Sequence, residues 1–264
     1  MGAGDPGIST FMTVAVVDGP VLKLGEGLAT HVLQNYGRHI DALEARIKDP
    51  RLVCAQRMSM ARRITRLRRG AKNTVKQAAH EYALLIAARF KVFFLPHFRV
   101  SEMVVGSPLG KKVTRKMLKI CHGEFRNLLV QKAALYGCQV ISVSLLACLL
   151  ACSLVWQCLL DYCAADYVCT LVTTAVLPQI GEEWTTKTCS NCGHVNHHVG
   201  AHSVFCCPHC GLVADRDAQA AKNILGHGLS VLRDSRPELY KTCVDRTSLA
   251  VSAPGVVSRT VAVA

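Results

Sequence analysis

The stretch HCGLVADRDAQAAKNIL, residues 209–225, runs from a cysteine motif directly into a predicted helix. It contains the end of a Cys-x-x-Cys-Gly motif, an Asp-Arg-Asp triplet and an alanine-rich segment of high helix propensity. An aspartate at such a helix start is commonly an N-cap, which is the simplest interpretation of Asp217. Because no linker separates the cysteines from the acids, we instead expect a metal module and Asp217 to belong to one site.

Four cysteines form the strongest local pattern in the chain. They make up two Cys-x-x-Cys-Gly motifs, at Cys189, Cys192, Cys207 and Cys210. Two such motifs provide the four thiolates of a closed structural Zn²⁺ site, which has no open position for catalysis. Cys206 is an alternative to Cys207, but it breaks the two-residue spacing. The chain has 14 cysteines and no visible export signal, so we interpret them as thiols or metal ligands, not disulfides.

Positive charge dominates the composition. The chain has 31 Lys and Arg residues against 18 Asp and Glu, a formal net charge of +13. This excess indicates a polyanionic partner, nucleic acid before a membrane surface. The cations concentrate in one predicted helix, where the expected phosphate contacts are Arg62, Arg63, Arg66, Arg68, Arg69 and Lys72. A solvated basic face is the alternative interpretation of this run.

Strand and helix patterns alternate along the chain and predict an α/β fold with a partly parallel sheet. Predicted strands are FMTVAVV within residues 1–17, KVFFLPHF at 91–98 and CQVISVS at 138–144. Two long helices are expected within residues 28–90. A single amphipathic helix, closed by Gly137, is expected over residues 114–137.

Acidic residues occur at strand ends and helix starts, where two-metal nucleases collect their ligands. Asp5 lies in GDPG, Glu182 lies in GEEWTTKTC and Asp217 precedes the alanine-rich helix. Taken singly, Asp5 fits a common turn and Glu182 fits a solvated position. Together the three carboxylates predict a Mg²⁺ site, because hard cations prefer oxygen ligands and their charge must be balanced.

A resemblance to a known family rests on motifs that occur in a fixed order. These are GDPGISTF, FKVFFLPHF, RKMLKICHGEFRNLLVQKAALYGCQVISV, EEWTTKTCSNCG, VFCCPHCG and DRDAQAAKNIL. In this order the chain resembles TnpB, a family of transposon-encoded, RNA-guided DNA nucleases related to type V CRISPR effectors. The segments FLPHFRVSEMV and EEWTTKTC are most similar to Fanzor, the eukaryotic branch. The resemblance implies a RuvC domain, an RNase H-like fold with a zinc ribbon inserted before the last catalytic acid, and DNA and guide RNA as partners.

The same resemblance implies roles for individual acids. Asp5 matches the first RuvC acid, and Asp217 matches the third in preference to Asp215. The middle acid is matched by Glu182, with Glu183 as the second candidate and Glu102 as a weaker one. Gln219 replaces the asparagine usual at its position, which implies a weaker contact at the helix start. These residues imply Mg²⁺ as the catalytic cofactor and Zn²⁺ as the structural one.

Residues 145–180 interrupt this pattern. No charged residue occurs between Ala133 and Leu160, and the stretch is long enough to span a membrane on hydropathy alone. A span there would place Asp5 and Asp217 on opposite sides of a bilayer, so we expect no membrane. Without the stretch, CQVISVS leads directly into GEEWTTKTC as the family pattern requires. We therefore interpret it as an insertion, such as a translated intron, which predicts a eukaryotic source and a nuclear protein; otherwise we expect the cytoplasm.

The expected organisation follows from these motifs. It comprises residues 1–144 (first part of the RuvC-like core, with a basic helical insertion at about 28–90), 145–180 (apolar insertion), 181–213 (zinc ribbon), 214–226 (last RuvC segment) and 227–264 (tail). Only four residues precede Asp5, which predicts an N-terminally truncated copy that is inactive alone. The alternatives are a catalytically inactive DNA-binding remnant and a membrane-anchored zinc protein.

Overall fold

The computed structural model describes residues 1–96, 98, 110–142, 185–200 and 202–242. Three predictions lie outside these residues. They concern the acids Glu102, Glu182 and Glu183, the interruption at 145–180, and the C-terminal tail beyond residue 242.

A five-stranded mixed sheet forms the centre of the fold. Its strands are β1 (Gly2–Pro6), β2 (Thr10–Val16), β3 (Leu22–Glu26), β4 (Val92–Leu95) and β5 (Gln139–Ser142). They lie in the order β3-β2-β1-β4-β5. The hairpin-connected strands β1, β2 and β3 are antiparallel, whereas β1, β4 and β5 are parallel. The predicted α/β class with a partly parallel sheet is confirmed.

The expected turn at Asp5 is wrong. Residues Gly2–Pro6 form strand β1, in which Asp5 is paired with Thr13 of β2. Pro6 is the last residue of the strand and lies beyond the β1–β4 pairs at Gly2 and Ala3, so its missing N–H removes no hydrogen bond of that pairing. Asp5 therefore lies at the carboxyl end of a central strand.

Helices cover both faces of the sheet. They are α1 (Leu28–Val32), α2 (Arg38–Ile47), α3 (Cys54–Arg89), α4 (Lys111–Ile120), α5 (His122–Tyr136) and α6 (Arg216–Ser235). A π-helical turn, Leu33–Gly37, joins α1 to α2, so residues 28–90 form two long helical units as predicted. The predicted boundary at residue 226 falls inside α6. In the described part of the chain, no helix is both long and apolar enough to cross a bilayer.

The single helix predicted over residues 114–137 is wrong, because the chain forms two helices, α4 and α5. The break is at Cys121, which adopts a left-handed conformation with φ of 54°. Few non-glycine residues adopt this conformation, so the identity of Cys121 does not itself signal the break. Gly137 ends α5 with φ of 67°, which confirms the predicted C-cap.

Two apolar cores lie on opposite faces of the sheet. One packs helices α1, α3 and α5 against side chains that include Phe11, Phe93 and Val140. The other packs α6, through Ala221, Ile224, Leu225 and Leu232, against Ala3, Ala15, Val92, Phe94 and Ile141. Helix α6 approaches the sheet closely, since a Cβ atom at Gly228 would lie 2.6 Å from the Phe94 ring. The predicted small-residue face of this helix therefore seats it on the sheet.

A second, two-stranded sheet carries the cysteine motifs. Its strands, β6 (Val204–Cys206) and β7 (Val213–Asp215), are antiparallel. Strand β7 ends at Asp215, and α6 begins at the next residue, Arg216. The cysteine module therefore continues into the helix that carries Asp217 without a linker.

Candidate metal centre and acidic site

The structure brings together the four cysteines that the sequence predicts as metal ligands. The Sγ atoms of Cys189, Cys192, Cys207 and Cys210 all lie within 4.8 Å of one another. The Sγ atoms of Cys189 and Cys210 are 3.6 Å apart, as are those of Cys192 and Cys207. Four sulfurs bound to Zn²⁺ at about 2.3 Å are separated by about 3.8 Å in a regular tetrahedron. The cluster therefore has the spacing of a tetrahedral thiolate site, and Cys206 is not part of it.

Each cysteine pair lies on a turn that is closed by a glycine. Gly193 and Gly211 have φ values of 72° and 71°, which side chains with a Cβ rarely adopt. Their amides donate to the carbonyls of Cys189 and Cys207, at 2.9 and 3.1 Å. Hydrogen bonds from the Leu212 amide and the Asn191 side chain lower the pKa of the Cys210 thiol. Despite a hydrogen bond from the His194 amide, burial and the neighbouring thiols raise the pKa of Cys192. These turns thus direct amides at sulfur atoms that must lose a proton to bind a metal.

The apolar core around this cluster is small. It consists of Cys189, Val199, Phe205 and Cys207, with Leu212 packed against them. A core of this size does not compensate the conformational entropy that the surrounding residues lose on folding. The chemistry and spacing of the four thiols fit a structural metal ion, which would supply the missing stability.

Asp215 and Asp217, the two acids of the triplet, have different surroundings. Asp215 is the N-cap of α6, and its Oδ1 accepts hydrogen bonds from the amides of Asp217 and Ala218 at 2.9 and 3.0 Å. Its Oδ2 accepts from Lys23 Nζ at 2.9 Å. Asp217 lies in the first turn, where Arg216 contacts its Oδ1 at 3.3 Å. The N-cap role considered for Asp217 therefore belongs to Asp215.

The register of the sheet places Asp5 on the same face as α6. Asp5 is paired with Thr13, and Thr13 is paired with Lys23 on the next strand. Side chains of directly paired residues point to the same face of a sheet. Lys23 in this row reaches Asp215 at the start of α6. Asp5 and the first turn of α6 thus share one face, whereas Glu182 lies outside the described residues.

Two residues of α6, Gln219 and Asn223, contact the ribbon. Gln219 Nε2 donates to the Thr188 carbonyl at 3.2 Å, and its Oε1 accepts from Ser190 Oγ at 2.9 Å. Asn223 Nδ2 donates to the carbonyls of Thr185 and Thr188, each at 2.7 Å. Sequence reasoning missed both roles and expected Gln219 to weaken a contact. The available signal was the i, i+4 spacing of two amide side chains on an otherwise apolar face.

The basic side chains of α3 face solvent. Arg62, Arg63, Arg66, Arg68, Arg69 and Lys72 are all exposed. Arg68 forms an ion pair with Glu44 at 2.6 Å, and Lys72 forms one with Glu124 at 3.6 Å. Two of the six predicted cations therefore face an acid of the same chain.

Comparison with known proteins gives one family-model match and several relatives. The model of the Cas12f1-like TNB domain matches residues 156–224, a range that includes the cysteine cluster and the first turns of α6. The chain is 24% identical over 228 residues to the TnpB-like proteins L79 and L770 of Acanthamoeba polyphaga mimivirus, which covers 85% of this chain and 36% of each relative. It is 47% identical over 55 residues to "Putative transposase A625R" of Paramecium bursaria Chlorella virus 1, or 21% of this chain and 12% of that protein.

The chain thus spans just over a third of the length of the TnpB-like proteins that it matches. The matched range of the domain model begins inside the 145–180 segment. The domain match and the similarity to TnpB-like proteins over 85% of this chain support its assignment to the TnpB family.

Proposed function

We propose that this chain is the RuvC-like nuclease part of a TnpB-type, RNA-guided DNA endonuclease, with an RNase H-like fold. The observation that carries the proposal is the shared sheet face of Asp5 and the first turn of α6. A phosphodiesterase of this type needs carboxylates from distant segments at one place. The register of β1, β2 and β3 and the Lys23–Asp215 contact support such an arrangement for Asp5 and the first turn of α6.

Under this proposal Asp5, Glu182 and Asp217 hold the catalytic Mg²⁺. Bound Mg²⁺ would supply the Lewis acidity and positive charge that phosphodiester hydrolysis requires. Asp217 is preferred to Asp215 because both carboxylate oxygens of Asp215 already accept hydrogen bonds, from Lys23 and from two backbone amides. Strand β1 and the seated helix α6 would hold Asp5 and Asp217 in position before substrate binds.

Zn²⁺ is the proposed ion at the four cysteines, in a structural role. Four thiolates and no oxygen ligand favour Zn²⁺ over harder cations. Since the four ligands fill a tetrahedral site, the chain would leave no coordination position for a substrate. The cysteine residues would therefore hold the ribbon and the start of α6 together, without taking part in hydrolysis.

DNA and guide RNA are the proposed partners. The exposed cations of α3 would contact phosphates, and Arg62, Arg63, Arg66 and Arg69 offer charge that no ion pair among the described residues engages. If the source is eukaryotic, the proposed compartment is the nucleus. Neither a catalytically inactive remnant nor a membrane-anchored protein is favoured by a specific observation.

The decisive experiment is cleavage of DNA by the longest protein encoded in frame at the locus, with its guide RNA. Cleavage should require Mg²⁺ and should be lost in Asp5→Ala and Asp217→Ala, while Asp215→Ser should retain it. Because serine also caps helices, Asp215→Ser is the matched control. Cleavage that persists in Asp217→Ala but is lost in Asp215→Ser would reject the assignment of the third acid.

A further inference from the structure

We propose that Gln219 and Asn223 are positioning residues that transmit metal occupancy of the cysteine cluster to the first two turns of α6. The inference rests on the proposed function only where it gives Asp217 a catalytic role. What it asserts about the chain itself is a mechanical link: the ribbon holds the helix start in place when the metal is bound, and releases it when the metal is lost.

The contacts are made next to a metal ligand. Gln219 binds the residues on either side of Cys189, which are Thr188 and Ser190. The Thr188 carbonyl also accepts a hydrogen bond from Asn223, one turn further along α6. Because Cys189 is a member of the cluster, a bound metal fixes the acceptors for both amides.

Burial makes these contacts costly to lose. The Gln219 side chain is only 1% exposed, and both ends of its amide bind the ribbon. A buried amide without partners loses its hydration and gains nothing in return. When the ribbon loosens, the turn that carries Gln219 must rearrange to find other partners. Asp217 lies in that same part of the helix.

A second route could couple the same elements. Strand β7 continues directly into α6, and Asp215 at their junction caps the helix. Metal loss could therefore reach α6 through the backbone alone. Substitution of Gln219 and Asn223 distinguishes the two routes. It removes the side-chain hydrogen bonds of the proposed route but leaves the backbone connection from β7 to α6 intact.

Hydrogen exchange of the full chain distinguishes the two routes. Exchange in peptides covering residues 216–223 is measured with Zn²⁺ bound and after chelation. In the unmodified chain, chelation should accelerate this exchange by about tenfold or more, which corresponds to loss of local protection. The Gln219→Met/Asn223→Leu variant should already exchange fast with Zn²⁺ bound, and chelation should add less than about threefold.

Asn196→Ala is the matched control, because the Asn196 amide donates to the Cys206 carbonyl at 2.9 Å within the ribbon and does not reach α6. This control should respond to chelation like the unmodified chain. If the double variant keeps the protection of the unmodified chain when Zn²⁺ is bound, coupling runs through β7 and the proposal is wrong.

Two milder variants cover the case in which the double variant fails to fold, as judged by lost protection in β1 and β2. Gln219→Glu and Asn223→Asp keep the size of each side chain but replace the NH₂ donor by an oxygen that faces a carbonyl. Each should accelerate exchange at 216–223 with Zn²⁺ bound, and unchanged exchange in both would overturn the proposal. None of these measurements depends on Mg²⁺ or cleavage, so failure here is distinct from failure of the nuclease proposal.

Discussion

The Lys23 ammonium lies 2.9 Å from the Asp215 carboxylate and so joins edge strand β3 to the last residue of ribbon strand β7. Burial opposes ionisation of Asp215, but the Lys23 hydrogen bond and the Ala218 amide outweigh it and lower the pKa of this carboxyl. The pKa of Lys23 is raised mainly by the same hydrogen bond. This partly exposed ion pair therefore links the sheet, the ribbon and helix α6 at their junction.

Breaking this junction should cost stability. Asp215→Ala removes the N-cap of α6, for which a loss of about 1 kcal/mol in the free energy of unfolding is typical. Asp215→Ser should recover most of that loss, because serine caps the helix without pairing with Lys23. Denaturant unfolding measures both values. Equal stability of the alanine variant and the unmodified chain would contradict the capping role.

Removal of a single metal ligand should empty the cysteine cluster. We expect one zinc per molecule in the purified chain, and Cys207→Ser should lower the zinc content and unfold the ribbon. Cys206→Ser is a matched control, since Cys206 is adjacent in sequence but outside the cluster. Elemental analysis gives the zinc content. Full zinc occupancy in a Cys189→Ser/Cys192→Ser variant would refute the ligand assignment.

The exposed cations of α3 should make nucleic-acid affinity depend on salt. Each lost phosphate contact flattens the slope of log affinity against log salt by about 0.9 for duplex DNA. Reversal to glutamate of Arg62, Arg63, Arg66 and Arg69 should therefore flatten the slope by several units. Reversal of four other exposed cations, Lys48, Arg51, Lys222 and Lys241, controls for net charge. An unchanged slope would identify the α3 run as a solvated face.

Because of His122, the protein should lose stability as the pH is lowered. His122 is 5% exposed, its ring contacts Phe11, and its one hydrogen bond joins Nε2 to the Gly7 carbonyl at 3.0 Å, while the buried Nδ1 has no partner among the described residues. Because a carbonyl only accepts, Nε2 carries the proton and donates. Burial lowers the pKa of His122 to about 4, despite the opposing effect of that hydrogen bond.

The sign of the effect follows from where the protons are bound. Below the unfolded pKa of about 6.5 the unfolded chain binds more protons, so stability falls as pH drops from about 6.5 towards 4. The full difference corresponds to about 3 kcal/mol. His122→Phe should flatten the pH dependence of the unfolding free energy. The control His39→Asn, at an exposed histidine, should leave that dependence unchanged. Unfolding free energies at a series of pH values are the measurement.

Local patterns were enough to predict the cysteine cluster and the buried strand β4. The four cysteines and their glycines define two turns within a few residues each, and Val92–Leu95 is apolar on both faces as a central parallel strand requires. The C-cap at Gly137 was likewise visible, because glycine is the usual residue in that conformation.

Features that depend on distant partners were not predictable in the same way. Asp5 looked like a turn residue, and only pairing with Thr13 makes it part of a strand. The partners of Gln219 and Asn223 lie 29 to 38 positions away, so the i, i+4 spacing of the two amides marks a polar contact but does not identify its partners. Cys121, His122 and Gly123 have low helix propensity, but such residues also occur within helices, so this stretch alone does not locate the break.

Because β7 continues directly into α6, residues cannot be inserted or deleted at this junction without moving the helix. A residue inserted between Asp215 and Ala220 would rotate the rest of the helix by about 100°. Ala221 and Ile224 would then leave the sheet, and a bulkier part of the helix would meet Phe94, where Gly228 now allows close approach. Insertions and deletions between β7 and α6 should therefore disrupt the packing of the helix on the sheet, even at positions where single substitutions preserve it.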